Sequence, residues 1–454
     1  MDGAVSAIDL LLREIALFAG VGFLVLGLSD LAVDLVWLGR AAVLRVAGRT
    51  PSQTVDGLEA PAAPRRIAVF VPAWDEARVI ANMLRHALAA FGPGDVRIYV
   101  GCYPNDPGTI AAVRSLADRR LRLVLGPAPG PTTKADCLNR LWEAMRADEE
   151  TSGRRFKAVV LHDAEDVVHS AELRIFDLLT ERYDLVQLPV LPLIDPGSRW
   201  IAGHYADEFA EAHAKGLVVR QALGAALPSA GVGCAIARDA LDRLAARHGV
   251  PFDADSLTED YELGLRLRLA GGTAIFVRMA AAPGRPVAAT REYFPATLAA
   301  AVGQKARWMR GIALQGWERL GWSGGFAERW MRMRDRQSLL AALLLVAGYA
   351  ALLLWTLRTA AAFAFGLPVV AIPEPLRILL LVNGAMLFWR LAMRFAFVGH
   401  AYGWREGLRA IPRTLVANLI AMLAARQAVI GYAAGRAAAW DKTDHFFPAE
   451  IPAE

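Results

Sequence analysis

Cysteine is scarce. There are three in 454 residues, Cys102, Cys137 and Cys234, far apart and odd in number. They form neither a metal-ligand spacing nor a disulfide framework, and they imply a reducing compartment for the part that carries them. No G-x-G-x-x-G opens the first strand–helix turn, which argues against a dinucleotide-dependent dehydrogenase. No small-residue cleavage site follows the first apolar block, so that block reads as a retained anchor rather than a removed signal peptide. A strong charge of one sign is missing too. The net charge of +5 is too small and too dispersed for nucleic acid, though it suits an anionic membrane face or an anionic substrate.

Apolar residues, in contrast, make up 55% of the chain, and its mean hydropathy of +0.32 is high for a wholly soluble enzyme. Membrane segments are expected. Residues 10–38 are long and apolar enough to span a bilayer. Asp30 and Asp34 fall inside this block on one helical face, and are expected near the inner headgroups because mid-membrane carboxylates are costly. Arg40, Arg45 and Arg49 follow and place that flank in the cytoplasm. Residues 50–64, rich in Pro and Ala, read as a linker. Near the other end, 338–355 and 376–399 each read as a spanning helix. Residues 411–432 are interrupted by Arg413, Asn418, Arg426 and Gln427. They are expected to form an amphipathic helix on the inner face, with a third carboxyl-terminal span as the alternative.

Between the membrane blocks the pattern changes. Short β-branched runs at 67–73, 96–101, 121–126, 156–163 and 183–190 alternate with helical patterns, including "EARVIANMLRHALAAF" and "TKADCLNRLWEAMRA". That alternation predicts an α/β domain with a largely parallel, doubly wound sheet, and such sheets gather ligands at the carboxyl ends of their strands.

One of those ends carries "HDAED", residues 162–166. Three acids in four residues repel one another unless a cation, or water, lies between them. An acid–x–acid turn, Asp163 and Glu165, offers oxygen ligands for Mg²⁺ or Mn²⁺, which typically binds one or two carboxylates plus phosphate oxygens. A solvated loop that caps the next helix is the alternative. Further on, "TED" (258–260) opens an amphipathic helix, where Asp260 suits a general base. Its structural alternative is a capping box of Ser256 with Glu259. Finally, Gln304, Arg307 and Trp308 in "QKARW" share one helical face. Arg fits pyrophosphate oxygens and Trp offers a flat surface to a sugar ring; a headgroup-level amphipathic helix is the plainer reading.

The ordered set "VPAWDE", "TKADCLN", "HDAEDV", "TED" and "QKARW", bracketed by apolar blocks, resembles the processive membrane glycosyltransferases of family 2, which include cellulose and hyaluronan synthases. "CYPNDPGT", "PSAGVGCAIAR" and "WDKTDHFFP" look like the inner-membrane phage-adsorption protein B group of that family.

The resemblance implies a GT-A fold, Rossmann-like, in the cytosol. It divides the chain into an anchor (1–49), a linker (50–64), a transferase domain (65–315), a basic connector with two spans (316–400) and an interfacial helix with tail (401–454). It also implies an inverting, metal-dependent transferase in the bacterial inner membrane. That enzyme would move a hexosyl or N-acetylhexosaminyl unit from a UDP-sugar to a glycan or lipid acceptor, with Mg²⁺ or Mn²⁺ as cofactor and an outer-membrane export partner. Asp163 and Glu165 correspond to the metal pair, with Asp166 in competition with Glu165. Asp260 corresponds to the base, with Glu259 beside it in the catalytic motif. Gln304, Arg307 and Trp308 correspond to the donor-diphosphate and acceptor motif. Pro72, Glu76 and Asp106 fall at the nucleotide pocket, and Lys134 and Asn139 in a donor-lining segment. Two other readings are a transferase of a single lipid-linked sugar and a non-catalytic assembly subunit or phage receptor. Members of the group carry a cyclic-di-GMP-sensing region after the transferase, and the sequence stopping at Glu454 puts such regulation in doubt here.

Overall fold

The computed structural model describes residues 2–48, 54–58, 66–435 and 445–451. A seven-stranded sheet forms the centre: β1 Ile67–Pro72, β2 Val96–Cys102, β3 Leu121–Leu125, β4 Ala158–Leu161, β5 Leu185–Gln187, β6 Cys234–Ala237 and β7 Ala274–Phe276. Their spatial order is β3-β2-β1-β4-β6-β5-β7. All five runs expected from the sequence are strands. The sheet is mostly parallel, with β6 antiparallel to both neighbours. β1 and β4 are buried at every position, as strands covered on both faces must be, which is why they read as unbroken apolar runs.

Helices Ile80–Ala90 and Lys134–Ser152 lie on opposite faces of the sheet and complete two apolar cores. The first core joins Val69, Val71, Met83 and Leu84; the second joins Phe70, Tyr99, Leu138 and Trp142. The register Phe70↔Leu161 brings the segments after β1 and β4 out level with each other. That is how residues 72–76 come to face residues 163–165.

Four helices are long and apolar enough to cross a membrane: the amino-terminal helix (Ser6–Val46 of Asp2–Val46), Ser338–Phe365, Glu374–Tyr402 and Trp404–Ala433. The two carboxylates in its second half, Asp30 and Asp34, are partnered. Asp30 pairs with Arg334 at 2.8 Å and Arg390 at 2.9 Å. Asp34, buried, pairs with Lys215 of the α/β domain and accepts from the Trp389 indole at 2.9 Å. Asp34 therefore ties the first helix to the α/β domain and Asp30 ties it to helices Phe326–Arg336 and Glu374–Tyr402, and neither carboxylate is left unpaired.

Residues 411–432 fall within the last helix, Trp404–Ala433. Near its start, buried Arg413 pairs with Asp207 at 2.8 Å, and near its end Tyr432 donates to Glu318. Between them Ile420, Ala424 and Ala428 pack on Tyr205, Ala301 and Ala306. The start and middle of this helix thus pack on the α/β domain, and its end meets the segment that follows that domain. Of the linker, residues 54–58 are described; there the amides of Val55 and Asp56 donate to the carbonyls of Ala280 and Ala281. The remainder of 50–64 lies outside the described residues.

Candidate active site

A cleft of about 300 Å³ opens at the carboxyl edge of the sheet. Its walls include Pro72, Glu76, Lys134, Asp163, Glu165 and Asp260, together with Gln304, Arg307 and Trp308. Side chains from five separated segments thus meet in one place.

The acidic turn after β4 is resolved residue by residue, because each acid has its own partner. Asp166 is fully buried and faces away from the cleft; its Oδ2 lies 2.7 Å from His162 Nδ1 and accepts the Asp163 amide at 3.0 Å. The other ring nitrogen of His162 lies 2.7 Å from Glu172 Oε1. Burial alone would depress the imidazole, but the Glu172 and Asp166 carboxylates outweigh it and push His162 up to about 10. It is an imidazolium clamped between two carboxylates. Asp163 faces Lys134, whose ammonium lies 2.5 Å from Oδ1. Glu165 faces His445, with Nε2 3.1 Å from its Oε1. Of the two acids that compete as partner to Asp163, Glu165 therefore lines the cleft and Asp166 braces the turn.

Asp260 occupies the first turn of helix Glu259–Leu269. Its Oδ1 accepts the Tyr261 amide at 2.7 Å. Burial raises its carboxyl above the usual range, against the pull of Lys134 and then Arg307. A raised value suits a base that must take a proton near neutrality. Gly231, at φ +77°, lets the 228–233 loop pass close by, since a Cβ there would stand 2.5 Å from Asp260 Oδ2. The alternative capping box does not form. Ser256 Oγ instead donates to Glu262 at 2.8 Å, leaving the Glu259-Asp260 pair uncommitted to that cap. Glu259 is buried beneath the cleft, and desolvation with the neighbouring Asp260 charge raises its carboxyl too.

Helix Leu298–Met309 carries Gln304, Arg307 and Trp308 to the opposite wall. The π-helical turn that follows it approaches the T-E-D turn through Gly311, where a Cβ would meet Thr258 Oγ1 at 2.6 Å. π-helical turns, Ala212–Gly216 and Arg310–Gln315, flank the cleft and contribute His213 and Ile312. Such turns frequently accompany functional sites.

Two expected residues stand elsewhere. Asn139 is buried behind the cleft, where its amide exchanges two hydrogen bonds with the Phe252 backbone, at 2.7 and 3.1 Å. That spends its polar capacity on joining two segments. Asp106 caps helix Pro107–Arg114 through the Thr109 amide and holds the Asp75 amide at 2.7 Å. Asp75 sits at φ +55°, so Asp106 fixes the strained turn that presents Glu76. Neither residue lines the cleft.

The sequence reading missed Glu292, Phe209, Phe294, His213 and His445, all of which line the cleft. Phe209, Phe294, Tyr205 and Trp308 form an aromatic group, with the Tyr205 and Phe294 rings stacked at 4.6 Å. No local pattern marks Glu292. The "WDKTDHFFP" stretch was a visible signal for His445, but carried no role; residues 440–444 of it lie outside the described residues.

A mostly parallel sheet with an acidic turn, a raised carboxylate and a cationic wall at its carboxyl edge defines a GT-A glycosyltransferase. The residues 64–311 match "Glycosyltransferase like family 2". The chain belongs to that family. It is 36% identical, over 96% of its length, to bacteriophage adsorption protein B of Escherichia coli K12 and to bacteriophage N4 adsorption protein B of E. coli O157:H7. It spans 62% of the length of those relatives. Among solved structures it resembles the mannosyltransferase PcManGT of Pyrobaculum calidifontis, in complex with GDP-Man and Mn²⁺. The TM-score is 0.54 and the identity 17%, over 92% of this chain and 99% of that one, a likeness of fold.

Proposed function

We propose that the protein is an inverting membrane glycosyltransferase. It transfers a sugar from a UDP-sugar to the hydroxyl of a growing glycan in exopolysaccharide synthesis, at the cytoplasmic face of a bacterial inner membrane. The observation that carries the reading is the convergence of Asp163, Glu165, Asp260 and Arg307 on one cleft.

Asp260 takes the proton from the acceptor hydroxyl as that oxygen attacks the anomeric carbon. The carbon–oxygen bond to the diphosphate breaks on the opposite face, and the nucleoside diphosphate leaves with the electron pair, so the anomeric configuration inverts. Arg307 and Lys134 bring positive charge to the departing oxygens; preorganised charge of this kind is usually the largest catalytic contribution. The Phe209–Phe294–Trp308 group offers apolar faces to the acceptor sugar.

The carboxylates fit a divalent cation. Among the described residues Glu165 Oε2 is buried without a hydrogen-bond partner, the state of an oxygen suited to meet a cation. Asp163 and Glu165 would hold Mg²⁺ or Mn²⁺, which supplies charge to the donor diphosphate when bound. The pairing of Arg413 with Asp207 and the packing of Ile420, Ala424 and Ala428 on Tyr205, Ala301 and Ala306 support the lying of helix Trp404–Ala433 along the cytoplasmic face. An outer-membrane partner for export belongs to the same reading.

The test is transfer of radiolabelled sugar by the purified full chain, in lipid, from a panel of UDP-sugars and GDP-mannose with and without Mn²⁺. GDP-mannose belongs in the panel because Asp106, expected at the nucleotide pocket, is committed to the Asp75 and Thr109 amides and leaves the base unassigned. The expected outcome is metal-dependent incorporation into a product longer than one sugar. Incorporation of one unit only would favour a lipid-linked single transfer, and nucleotide binding without any transfer would favour a non-catalytic subunit.

A further inference from the structure

We propose that a second cavity, where the long apolar helices meet the α/β domain, binds a phosphate group, and that its occupancy steadies one wall of the cleft. The site stands on its own geometry and does not depend on the transferase reading.

The cavity has a volume of about 290 Å³. Arg390 and Arg394 reach it from helix Glu374–Tyr402, Arg334 from helix Phe326–Arg336, and Lys215 and Arg220 from the α/β domain. Four carboxylates answer these five cations. Asp30 is shared by Arg334 and Arg390, and Glu211 by Lys215, Arg390 and Arg394. Asp34 holds Lys215, and Asp335 holds Arg220. Glu208 also lines the cavity, but it pairs with Lys305. One positive charge is left over, and an arginine cannot shed it by giving up a proton.

Two nitrogens show where that charge is unmet. Arg394 Nε and Arg220 Nη2 are both buried and have no hydrogen-bond partner among the described residues. Arg220 is 4% exposed, and the ion pair from Arg394 to Glu211 is long, at 3.5 Å. A buried charge without full compensation is costly, so an anion that enters here is held. Guanidinium forks match the oxygens of phosphate. A phosphodiester carries a single negative charge, equal to the excess. Val33, Leu217 and Met331 offer apolar surface to its ester carbons. A phospholipid headgroup and free phosphate share this chemistry.

Occupancy reaches the cleft by two routes. The π-helical turn Ala212–Gly216 is the partition: Ala212 and Leu217 line both spaces, His213 lines the cleft and Lys215 the cavity. In the second route, Arg220 Nη1 lies 2.8 Å from Asp335, whose Oδ2 accepts the Tyr261 hydroxyl at 2.7 Å. Tyr261 lines the cleft and follows Asp260 directly in the chain. A phosphate on Nη2 of Arg220 fixes the guanidinium at one end of this chain of contacts, and so the first turn of helix Glu259–Leu269 at the other.

The experiment titrates phosphatidylglycerol into the delipidated full chain in maltoside detergent and counts bound lipid by native mass spectrometry. Saturable binding is expected, weakened about tenfold or more in both Arg394→Gln and Arg220→Gln. Arg394→Lys keeps the charge but loses the fork, and should fall between. Arg377→Gln, an exposed position at the other end of the same helix, should bind as the wild type does. Bound lipid should raise the thermal midpoint of the wild type and leave that of Arg394→Gln where it stands; the same melts report whether each variant is folded. Hydrogen exchange over residues 259–262 should slow on binding in the wild type and not in Tyr261→Phe. Inorganic phosphate alone separates the two sources. A midpoint raised by phosphate in the wild type but not in Arg394→Gln assigns the site to the free anion, and a rise with lipid only assigns it to a headgroup. Binding of neither probe, or equal binding by the wild type and both glutamine variants, overturns the site. Exchange over 259–262 that ignores a bound probe overturns the link to the cleft.

Discussion

The Lys134 ammonium rests on the Asp163 carboxylate, 2.5 Å from one oxygen and 2.8 Å from the other. Burial works against the charge on Lys134, yet Asp163, with Glu259 and Asp260 behind it, holds the ammonium protonated. The cleft therefore keeps a cation beside its acids before any donor arrives. Substrate diphosphate can draw that cation away from Asp163.

Lys134→Met should remove this compensation. An unpaired, partly buried carboxylate costs about 1–3 kcal/mol, so the thermal midpoint of the purified protein should fall. Turnover should fall by about tenfold or more, because one positive partner of the leaving diphosphate is lost. Unchanged turnover at saturating donor would show that Lys134 serves the resting cleft only.

Asp260→Asn keeps the shape of the side chain and removes its basicity. Turnover should drop by roughly 10² or more, while sugar-nucleotide binding, read by thermal shift, stays near the wild-type value. Retained turnover would reject the base assignment.

Gly231→Ala tests whether the loop positions that base. The left-handed backbone costs an L-residue about 1–2 kcal/mol, and the new methyl would strike Asp260 Oδ2 at 2.5 Å. The expected result is a loss of turnover exceeding any loss of nucleotide affinity. A variant with wild-type kinetics would mean that Asp260 tolerates displacement.

His213 gives the fold an acid-side sensitivity. Burial, and then the Arg278 charge, push its imidazole down from 6.5 to about 3. Its Nδ1 lies 2.8 Å from the Val190 amide and accepts that proton only when the ring is neutral. The unfolded chain takes up a proton below pH 6.5 while the folded chain does not. The stabilisation is therefore complete above pH 6.5 and is lost as pH falls toward 3. The contribution changes by about 2 kcal/mol between pH 6.5 and 5. His213→Gln, which retains an acceptor, should flatten the fall of the thermal midpoint over that interval; an identical slope in both proteins would refute the assignment.

Much of the architecture was legible in the residues. β1 and β4 show themselves as unbroken apolar runs because both faces are buried. The alternating helices follow from their 3.6-residue spacing, and the membrane helices from length and hydropathy. The antiparallel strand β6 escaped notice: "CAIA" is four residues long and has no period to read. Asp163, Glu165, Asp260 and Arg307 were singled out by local motif, and the register of β1 against β4 and the approach of Gly311 to Thr258 put them in one cleft.

Local chemistry determined which elements form and which residue types stand at their ends, since periodicity, turn propensity and hydropathy act within a few residues. Tertiary structure alone decided how those residues are employed. Asp166 turns inward to a clamped imidazolium, and Asn139 is spent on a backbone 113 positions away. Asp106 braces a turn, and His445 arrives from the far end of the chain. A polar side chain takes whichever partner packing brings within about 3 Å, and that partner is set by how distant segments meet, not by the spacing around the residue itself.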